Sequence, residues 1–472
     1  MLTTKNLVAA IKLERQDLSK VLLVLSNSGW TPALIESQKT FLKLAGVEER
    51  ISVIDAKLFK PAPRGISNGD VFFKEQDLYY IINNPPGKYV TDPYGRVLGY
   101  ADEENKPQIE IGILSLVSGD LNERLLAFAC VVEEAIKSTL DNLISSHTSI
   151  TLDNLISSHK SIIWKEEEPD ISQFDRIIST EQEQTGLHFN KAKLIPEELQ
   201  AAQVLADKLT RENLIELVQA GFVRERDILN RKKGQEEIRD ALIKLKNIGL
   251  LDSKYLLECR QGGKALTFLK SKEQLGINDI GNLTCPSCHA KFSNEILTEG
   301  YSPSDFGRYM SRQSYWMTVW VTEQLTRADV PTEAILWNIA ESGEEVDLLV
   351  GFLGQLWIFE LKDREFGSGD AYPLNYRQVR YRTNKTIIVT TDKVSKDAKR
   401  VFQELLRGSS GTKRGPIYIE GLENAESILR KELSDAALLY AQRRLASIQE
   451  LAGYDLAAIL AERFGESSEN LS

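Results

Sequence analysis

Three charged side chains lie in the most apolar part of the chain. Residues 344–362, EEVDLLVGFLGQLWIFELK, contain two apolar runs joined at a glycine, with Asp347 in the first run and Glu360 and Lys362 at the end of the second. Alternation along a strand places Glu360 and Lys362 on one face, after two apolar residues on that face. Unpaired charges are costly to desolvate at the edge of a core, and a bound metal ion with its water offsets that cost. The pattern therefore predicts a metal site.

The elements that would position these residues follow one another from residue 301. The order is a helix (RQSYWMTVWVTEQLTR), three strands (EAILWNIA, EEVDLLVGF, QLWIFELKD), a helix (PLNYRQVRYR), a strand (KTIIVTT), a helix (KDAKRVFQELL) and a strand (PIYIE). This αβββαβ order, with Asp347 on one strand and Glu360-Leu361-Lys362 ending the next, resembles the PD-(D/E)XK, or restriction-endonuclease-like, nuclease superfamily. The resemblance covers residues 301–420.

The resemblance implies an Mg²⁺-dependent endonuclease that hydrolyses phosphodiester bonds in DNA, with Mn²⁺ as a substitute and anti-phage or mobile-element defence as a setting. Mg²⁺ prefers oxygen ligands, which Asp347, Glu360 and the Leu361 carbonyl would supply. Lys362 would orient the attacking water or stabilise charge on the phosphate. A first-helix glutamate joins the metal site in many members, and Glu323 matches that position; the alternative for Glu323 is a salt bridge at the core.

Two basic regions could contact nucleic acid. The first follows the nuclease motif and contains Arg377, Gln378, Arg380 and Arg382. The second lies between residues 224 and 272, where 13 Lys and Arg face seven Asp and Glu, a net charge of +6 in a chain of net charge −10. Within it, residues 206–272 resemble a winged helix-turn-helix domain, with 235–248 as recognition helix and 254–269 as wing. Its candidate phosphate and groove contacts are Lys232, Lys233, Arg239, Lys244 and Lys246. The alternative is a protein-interaction domain with a solvated basic face.

A segment that contains three of the four cysteines overlaps the wing. CRQGG at 259–263 and CPSCH at 285–289 resemble a zinc ribbon spanning residues 255–300, with Gly262 in the second cysteine's place. Tetrahedral Zn²⁺ takes four ligands, so Cys259, Cys285 and Cys288 would need a fourth, for which His289 is the candidate. CPSCH also matches the haem-attachment pattern, which we reject because nothing suggests export and the flanking pattern fits a ribbon.

The rest of the chain divides by composition. Helix-like segments alternate with strand-like ones at 21–25, 51–59, 71–82 and 109–117, which predicts an α/β domain of unknown role over residues 1–165. Twelve residues are duplicated near its end, at 139–150 and 151–162. Residues 166–205 read as an acidic linker, and residues 421–472 as an amphipathic helical segment for covering or oligomerisation. The fold class is therefore multidomain α/β, with an α/β N-terminal domain, a winged helix in the middle and a restriction-endonuclease-like core in the C-terminal half.

Composition bounds the function. A chain of 472 residues with 42% hydrophobic residues has room for two to four globular domains. It contains no signal-peptide core or membrane-spanning run, so we expect a cytoplasmic protein without membrane contact. No P-loop motif is present, so energy-driven translocation would need another subunit. The expected partners are DNA and either a second copy or a subunit that triggers or recruits the enzyme. The alternative function is a DNA-binding regulator or scaffold with an inactive nuclease fold.

Overall fold

The computed structural model divides the chain into two units, Met1–Asp170 with Ser427–Ser472, and Ile171–Glu426. It describes residues 3–10, 25, 30, 34, 69–74, 77–84, 89–91, 97–100, 108–116, 120–146, 162–166, 188–231, 234–276, 278–341, 344–407 and 415–452. The protein is a multidomain mixed α/β protein. Among the described residues, no helix combines the length and the apolar character needed to cross a membrane.

The first unit contains an antiparallel sheet covered by a long helix. Its strands are β1 (Thr3–Ala10), β2 (Gly69–Lys74), β3 (Asp77–Asn84), β4 (Tyr89–Thr91), β5 (Val97–Tyr100), β6 (Gln108–Ser115) and β7 (Lys165–Glu166). The sheet order is β2-β3-β6-β1-β7, and β4 and β5 form a separate hairpin. Helix α1 (Leu121–Ser146) buries Leu125, Phe128 and Val132 against Ile109 and Ile111 of β6. Alternate residues of β6 thus supply the apolar face that this core needs.

The predicted strands of this unit have mixed outcomes. Strand β6 matches the segment predicted at 109–117, and the segment at 71–82 folds as the β2–β3 hairpin. Leu25 is helical, so the strand predicted at 21–25 is wrong there. The segment at 51–59 and nearly all of the second duplicated copy lie outside the described residues. Strand β1 pairs with β6 along its whole length. It was not predicted because polar residues interrupt the alternation of apolar and polar side chains that indicates a strand.

The second unit begins with elements inside the predicted linker and continues into the predicted winged helix. They are β8 (His188–Lys191), α2 (Pro196–Ala206), α3 (Lys208–Ala220), β9 (Val223–Arg224), α4 (Glu225–Arg231), α5 (Gln235–Asn247), β10 (Leu251–Glu258), β11 (Ala265–Leu269), α6 (Asn278–Gly281) and β12 (Ile296–Pro303). Asp207 lies between α2 and α3 and is the N-cap of α3: its carboxylate accepts a hydrogen bond from the Thr210 N–H at 2.8 Å. Helix α5 buries the predicted stripe of Ile238, Ala241, Leu242 and Leu245.

Strands β9 to β12 form one sheet in the order β11-β10-β12-β9. Strand β12 lies between β10 and β9, and the segment 259–295 is inserted between β10 and β12. The wing predicted at 254–269 corresponds to the β10–β11 pair, and the segment predicted as a zinc ribbon at 255–300 includes parts of β10 and β12 of the same sheet. We call residues 259–295 the knuckle segment.

A six-stranded sheet completes the unit in the order β17-β16-β15-β14-β13-β8. Its further elements are α7 (Asp305–Ser311), α8 (Tyr315–Thr326), β13 (Ile335–Glu341), β14 (Glu344–Phe352), β15 (Gln355–Lys362), α9 (Ser368–Arg380), β16 (Lys385–Thr390), α10 (Lys396–Arg407) and β17 (Ile417–Glu420). From α8 onward, helices and strands follow one another in the predicted order; α7 and the last residues of β12, which precede α8, were not predicted. Strands β15, β16 and β17 are parallel, whereas β13, β14 and β15 form antiparallel pairs.

Residues 188–205 of the predicted acidic linker form a strand and a helix instead. Strand β8 pairs with β13, where Asn190 lies opposite Trp337. Helix α2 buries Ala201, Ala202 and Leu205, which gives it an apolar face despite its polar composition. The remaining residues of that stretch, 167–187, lie outside the described residues.

The last helix, α11 (Ala425–Ala452), belongs from Ser427 onward with the first unit. Its Arg444 Nε lies 3.2 Å from Oε1 of Glu110, a carboxylate buried on β6. Its Tyr440 hydroxyl accepts a hydrogen bond from the Asn6 amide at 2.8 Å. The segment predicted to cover or oligomerise therefore packs on the N-terminal sheet.

Two helical glycines test the packing of the second unit. A Cβ on Gly307 in α7 would overlap the Leu250 carbonyl oxygen, whereas a Cβ on Gly369 in α9 would meet no atom within 4 Å. We expect Gly307→Ala to lower the free energy of unfolding by about 1–3 kcal/mol because a backbone atom must move. Gly369→Ala should raise it by about 0.5–1 kcal/mol. Urea unfolding of both variants measures the difference, and equal stabilities would contradict the close α7 contact.

Candidate functional site

The β14–β15 hairpin fixes the position of the predicted carboxylates. Its two-residue turn, Leu353-Gly354, has positive φ at both residues, 49° and 69°, as a type I′ turn requires. The turn sets a register in which Leu348 lies opposite Phe359. Away from the turn, the next residues on the two strands are Asp347 and Glu360. Their side chains therefore lie opposite one another on the same face of the sheet.

That face packs against helix α9. Leu349 and Ile358, a directly opposed pair, share a buried cluster with Leu374 of α9. Because side chains alternate between the two faces of a strand, Glu360 and Lys362 of β15 lie on the same face as Ile358. The predicted change from an apolar strand to a charged tip is present, because β15 is buried from Gln355 to Leu361.

The charged groups at the tip are in direct contact. Lys362 Nζ lies 2.7 Å from Oε1 of Glu360, and Arg377 Nη1 of α9 lies 3.2 Å from Oε2. The Leu361 backbone N–H donates to Oδ2 of Asp347 at 2.6 Å. Glu360 is only 4% exposed. Asp347, Glu360 and Lys362 therefore form one compact group, as the sequence predicted.

The protonation of this group reflects its crowding. Burial and, to a lesser extent, the negative charge of Glu360 together raise the pKa of Asp347 to about 7. Burial lowers the pKa of Lys362, but the charges of Asp347 and Glu360 more than offset this, so its pKa is raised overall. Two carboxylates therefore compete for positive charge beside a lysine that stays protonated at neutral pH. A divalent cation with hard oxygen preferences fits that demand.

Glu323 is not brought into this group. Glu323 lies on α8, and the Trp316 indole N–H of the same helix donates a hydrogen bond to Asp363 at 3.1 Å. Asp363 is three residues after Glu360, so in an extended chain its side chain points to the opposite side. The Glu323 Oε1 atom instead accepts hydrogen bonds from Gln203 and Arg327, both at 2.6 Å. Its Oε2 atom is buried with no hydrogen-bond partner among the described residues. Glu323 therefore makes the alternative contact, a salt bridge with Arg327, and lies apart from the carboxylates that would hold a metal ion.

The predicted nucleic-acid contacts on α5 are accessible. Arg239, Lys244 and Lys246 are exposed on the side of α5 away from its buried stripe. Lys232 and Lys233 lie outside the described residues. We call the three exposed cations the basic surface; they can meet phosphates, and Glu236, Glu237 and Asp240 are exposed on the same helix.

The second predicted basic region is mostly engaged within the protein. Arg377 is paired with Glu360, and the Gln378 side-chain carbonyl accepts a hydrogen bond from the Thr386 hydroxyl at 2.8 Å. Arg380 donates to the Tyr376 hydroxyl at 3.2 Å. Arg382 is exposed, with a left-handed φ of 51°. Arg377 therefore belongs with the carboxylate group, which its position in the sequence did not indicate.

A second network, which sequence reasoning missed, holds the residue after Lys362. The Asp363 Oδ1 atom lies 2.9 Å from Nε of Arg211, a buried residue of α3. The Arg211 guanidinium also lies over the Trp316 ring at 5.1 Å and donates to the Leu205 carbonyl at 2.9 Å. An acidic residue directly after a candidate catalytic lysine was the available signal, but its partner lies far away in sequence.

The cysteines of the knuckle segment also converge. Cys259, Cys285 and Cys288 have their sulfur atoms within 4.8 Å of one another and of a Glu295 carboxylate oxygen. The predicted fourth ligand, His289, is not in this group; it is exposed, with φ of 59°. Sequence reasoning missed Glu295 because its approach depends on the pairing of β10 with β12.

A separate cleft of about 420 Å³ lies beside β8 and β13. Its lining includes the aromatic rings of Tyr309, Tyr315 and Trp337 and the basic residues Lys191, Lys193 and Arg312. The rings of Tyr309 and Tyr315 are 4.7 Å apart. None of the residues that line it belongs to the Asp347–Glu360–Lys362 group.

Comparisons with known proteins do not identify a family. No family model matches the chain, and no curated protein matches it. Among solved structures, it is similar to protein VC1899 from Vibrio cholerae, with 12% identity over 53% of this chain and 60% of that chain, and a TM-score of 0.33. It is also similar to AF1548, a protein of unknown function, with 16% identity over 33% of this chain and 97% of that chain, and a TM-score of 0.17. At these scores neither likeness supports an argument about fold or function.

The crowding of the two carboxylates predicts a stabilising substitution. Asp347→Asn removes one negative charge beside Glu360 while its side-chain oxygen still accepts from the Leu361 N–H. In EDTA at pH 8, we expect the variant to unfold at a higher temperature, with a gain on the order of 1–4 kcal/mol. Thermal unfolding measures it, with the exposed Asp397→Asn as control.

The pH dependence of this gain has a defined sign. The raised pKa means that folded Asp347 binds a proton between its ordinary value of 3.8 and about 7, where the unfolded chain releases it. Wild-type stability therefore falls as pH rises through that window, and the variant lacks this loss. The gain should shrink as pH falls below 7. If Asp347→Asn were less stable than the wild type at pH 8, the claim that the Asp347 charge destabilises the folded protein would be wrong.

Proposed function

We propose that the chain is a metal-dependent endonuclease that hydrolyses phosphodiester bonds in DNA. The observation that carries the proposal is the convergence of Asp347, Glu360 and Lys362 at the end of one buried hairpin. Two carboxylates and a lysine at this spacing have the chemistry to hold a cation and to act on a phosphate. The likeness to the PD-(D/E)XK superfamily rests on the same residues.

The chain's own groups have distinct tasks in this proposal. Hydrolysis forms a bond from a water oxygen to phosphorus and breaks a bond from phosphorus to a sugar oxygen. Lys362, charged and held by Glu360, can orient that water or stabilise negative charge on the phosphate. The Leu361 N–H fixes the Asp347 carboxylate by a hydrogen bond, so that one carboxylate atom keeps a defined direction.

The donor set suits Mg²⁺, with Mn²⁺ as a substitute. Asp347, Glu360 and the Leu361 carbonyl would hold the ion, all through oxygen atoms. When bound, the ion would lower the pKa of a water molecule and neutralise charge on the phosphate. It would also relieve the repulsion between Asp347 and Glu360, which is the property of this site that most favours a divalent cation.

DNA contact rests on the surface of α5. Arg239, Lys244 and Lys246 are its exposed cations, and the chain as a whole is acidic, so attraction to phosphate is confined to local surfaces. In this proposal α5 and the adjoining strands position the nucleic acid, and the hairpin tip cuts it. Defence against phages or mobile elements is the setting that the superfamily suggests.

A DNA-binding regulator with an inactive nuclease fold is the second candidate. Both carboxylate oxygens of Glu360 are already paired, one with Lys362 and the other with Arg377. A glutamate neutralised in this way can be a structural ion pair that needs no metal. The two candidates share the basic surface and differ only at the hairpin tip.

Cleavage assays separate the candidates. Wild-type protein should cut plasmid or linear DNA with Mg²⁺ or Mn²⁺ and not with EDTA, and single-stranded DNA and RNA should be tested in parallel. Glu360→Gln should abolish cleavage because the isosteric amide is a poor cation ligand. Lys362→Met should reduce the rate by about 100–1000-fold. Glu404→Gln, an exposed change on α10, is the matched control.

Glu323→Gln tests the remaining predicted ligand. Since Glu323 contacts Gln203 and Arg327 on the other face of the sheet, we expect this variant to keep cleaving. Loss of cleavage in a folded Glu323→Gln protein would restore Glu323 to the metal site. No cleavage by the folded wild type on any substrate would favour the regulator.

DNA binding can be measured apart from cleavage. Replacing Arg239, Lys244 and Lys246 together by Ala should weaken DNA binding by the Glu360→Gln protein. The slope of log binding constant against log salt concentration should become shallower by about 0.9 for each duplex phosphate contact that is lost. Fluorescence anisotropy at several salt concentrations measures both. A control that replaces the exposed Lys137, Arg400 and Lys431 loses the same charge elsewhere. Equal effects of the two triple variants would refute a specific role for α5.

A further inference from the structure

The pairing of β10 with β12 places two polar side chains at the base of the knuckle segment. Glu258 lies opposite Ile296 as the last pair of these strands. Cys259 directly follows Glu258, and Glu295 directly precedes Ile296, so both are held at the mouth of the same hairpin. The Arg260 backbone N–H donates to Oε2 of Glu295 at 2.6 Å, which directs the carboxylate towards Cys259.

Each side of the cluster is a turn built around a sulfur atom. In the first turn, the Gly262 N–H donates to the Cys259 sulfur at 3.3 Å, and the Gly263 N–H donates to the Cys259 carbonyl at 2.7 Å. In the second turn, the Ser287 N–H donates to the Cys285 sulfur at 3.4 Å. Backbone N–H groups aimed at sulfur stabilise thiolates, which are the form that binds metals.

The second turn brings Cys288 to the same place. Its sulfur lies 2.9 Å from Oε1 of Glu295. Cys259, Cys285 and Glu295 are buried and Cys288 is partly exposed. No disulfide joins the three cysteines. Three sulfur atoms and one carboxylate oxygen, all within 4.8 Å, match the number and type of ligands that tetrahedral Zn²⁺ takes.

The first turn explains why the fourth ligand is a carboxylate. Gly262 occupies the position that a second cysteine would fill, and a Cβ there would lie 3.7 Å from the Cys259 sulfur. The missing thiolate leaves a gap beside Cys259, into which Glu295 extends from the start of β12. His289 lies outside the group, on the exposed side of its turn.

We propose that Cys259, Cys285, Cys288 and Glu295 form a structural zinc site that fastens the knuckle segment to the β10–β12 hairpin. This inference is independent of the proposed nuclease activity. The core around the cysteines is small: among the described residues, Leu257 and Phe292 are its buried apolar side chains apart from the cysteines, and Leu266, Leu275, Ile280 and Leu297 pack against it partly buried. A metal bond supplies the cross-link that so small a core lacks.

Metal analysis of the purified full-length chain is the first test. We expect about one zinc ion per chain. Substitution with Co²⁺ should give the intense near-ultraviolet thiolate charge-transfer bands and the visible bands of a tetrahedral site. Glu295→Gln should weaken zinc binding by more than the roughly 10–100-fold that loss of an outer-shell partner costs. His289→Ala and Cys130→Ser, which alter no proposed ligand, should bind zinc as the wild type does.

A rescue variant guards against misfolding as the cause of metal loss. Adding Gly262→Cys to Glu295→Gln replaces the lost oxygen ligand with a fourth sulfur, and it should restore zinc binding and intensify the Co²⁺ charge-transfer bands. Removing zinc from the wild type with a chelator should expose residues 259–295 to proteolysis while the rest of the second unit resists. A folded wild type that carries no zinc and gives no Co²⁺ bands would overturn the site. Zinc binding lost in His289→Ala but kept in Glu295→Gln would overturn the assignment of Glu295.

Discussion

The second unit depends on one costly juxtaposition, the meeting of Asp347 and Glu360 at the end of a buried hairpin. The Leu353-Gly354 turn fixes the register, so neither carboxylate can move away without loss of the apolar pairing behind it. The surrounding structure compensates: Lys362 and Arg377 each take one oxygen of Glu360, and the Leu361 N–H takes one of Asp347. Burial, with the charge of Glu360, still raises the pKa of Asp347. A carboxylate whose burial is only partly compensated is suited to a divalent cation.

The sequence contains enough to find the hairpin tip, because strand alternation and a two-residue turn are local properties. The sequence therefore places Glu360 and Lys362 on one face and Asp347 on the neighbouring strand, and the register of the hairpin puts all three together. Glu323 shows where this reasoning stops. Its position on an apolar stripe indicates that it is buried, but the stripe does not say which face of the sheet its helix covers. Arg377 shows the converse, since a residue expected to meet DNA turns inward because α9 packs over the carboxylates.

Long-range strand pairing accounts for most of what the sequence did not reveal. Strand β8 joins the edge of the six-stranded sheet from a stretch whose composition is polar, and its partner β13 lies far along the chain. Strand β12 completes the other sheet only after the knuckle segment has looped out between it and β10. Glu295 reaches the cysteines as a result of that pairing, so a search for ligands by spacing alone selected His289. The three cysteines themselves were predictable, because thiols at such turns have few other uses in a chain with four cysteines.

The ion pair between Arg211 and Asp363 has a mechanical meaning. Asp363 is the residue next to Lys362, and Arg211 lies in the first turn of α3, the helix that opens the region carrying the basic surface. The Arg211 guanidinium is clamped at the same time by the Trp316 ring and the end of α2. Arg211 and Lys362 are thus joined by one ion pair and one peptide bond. If nucleic acid binds at the basic surface as proposed, this contact is a direct route from that region to the hairpin tip.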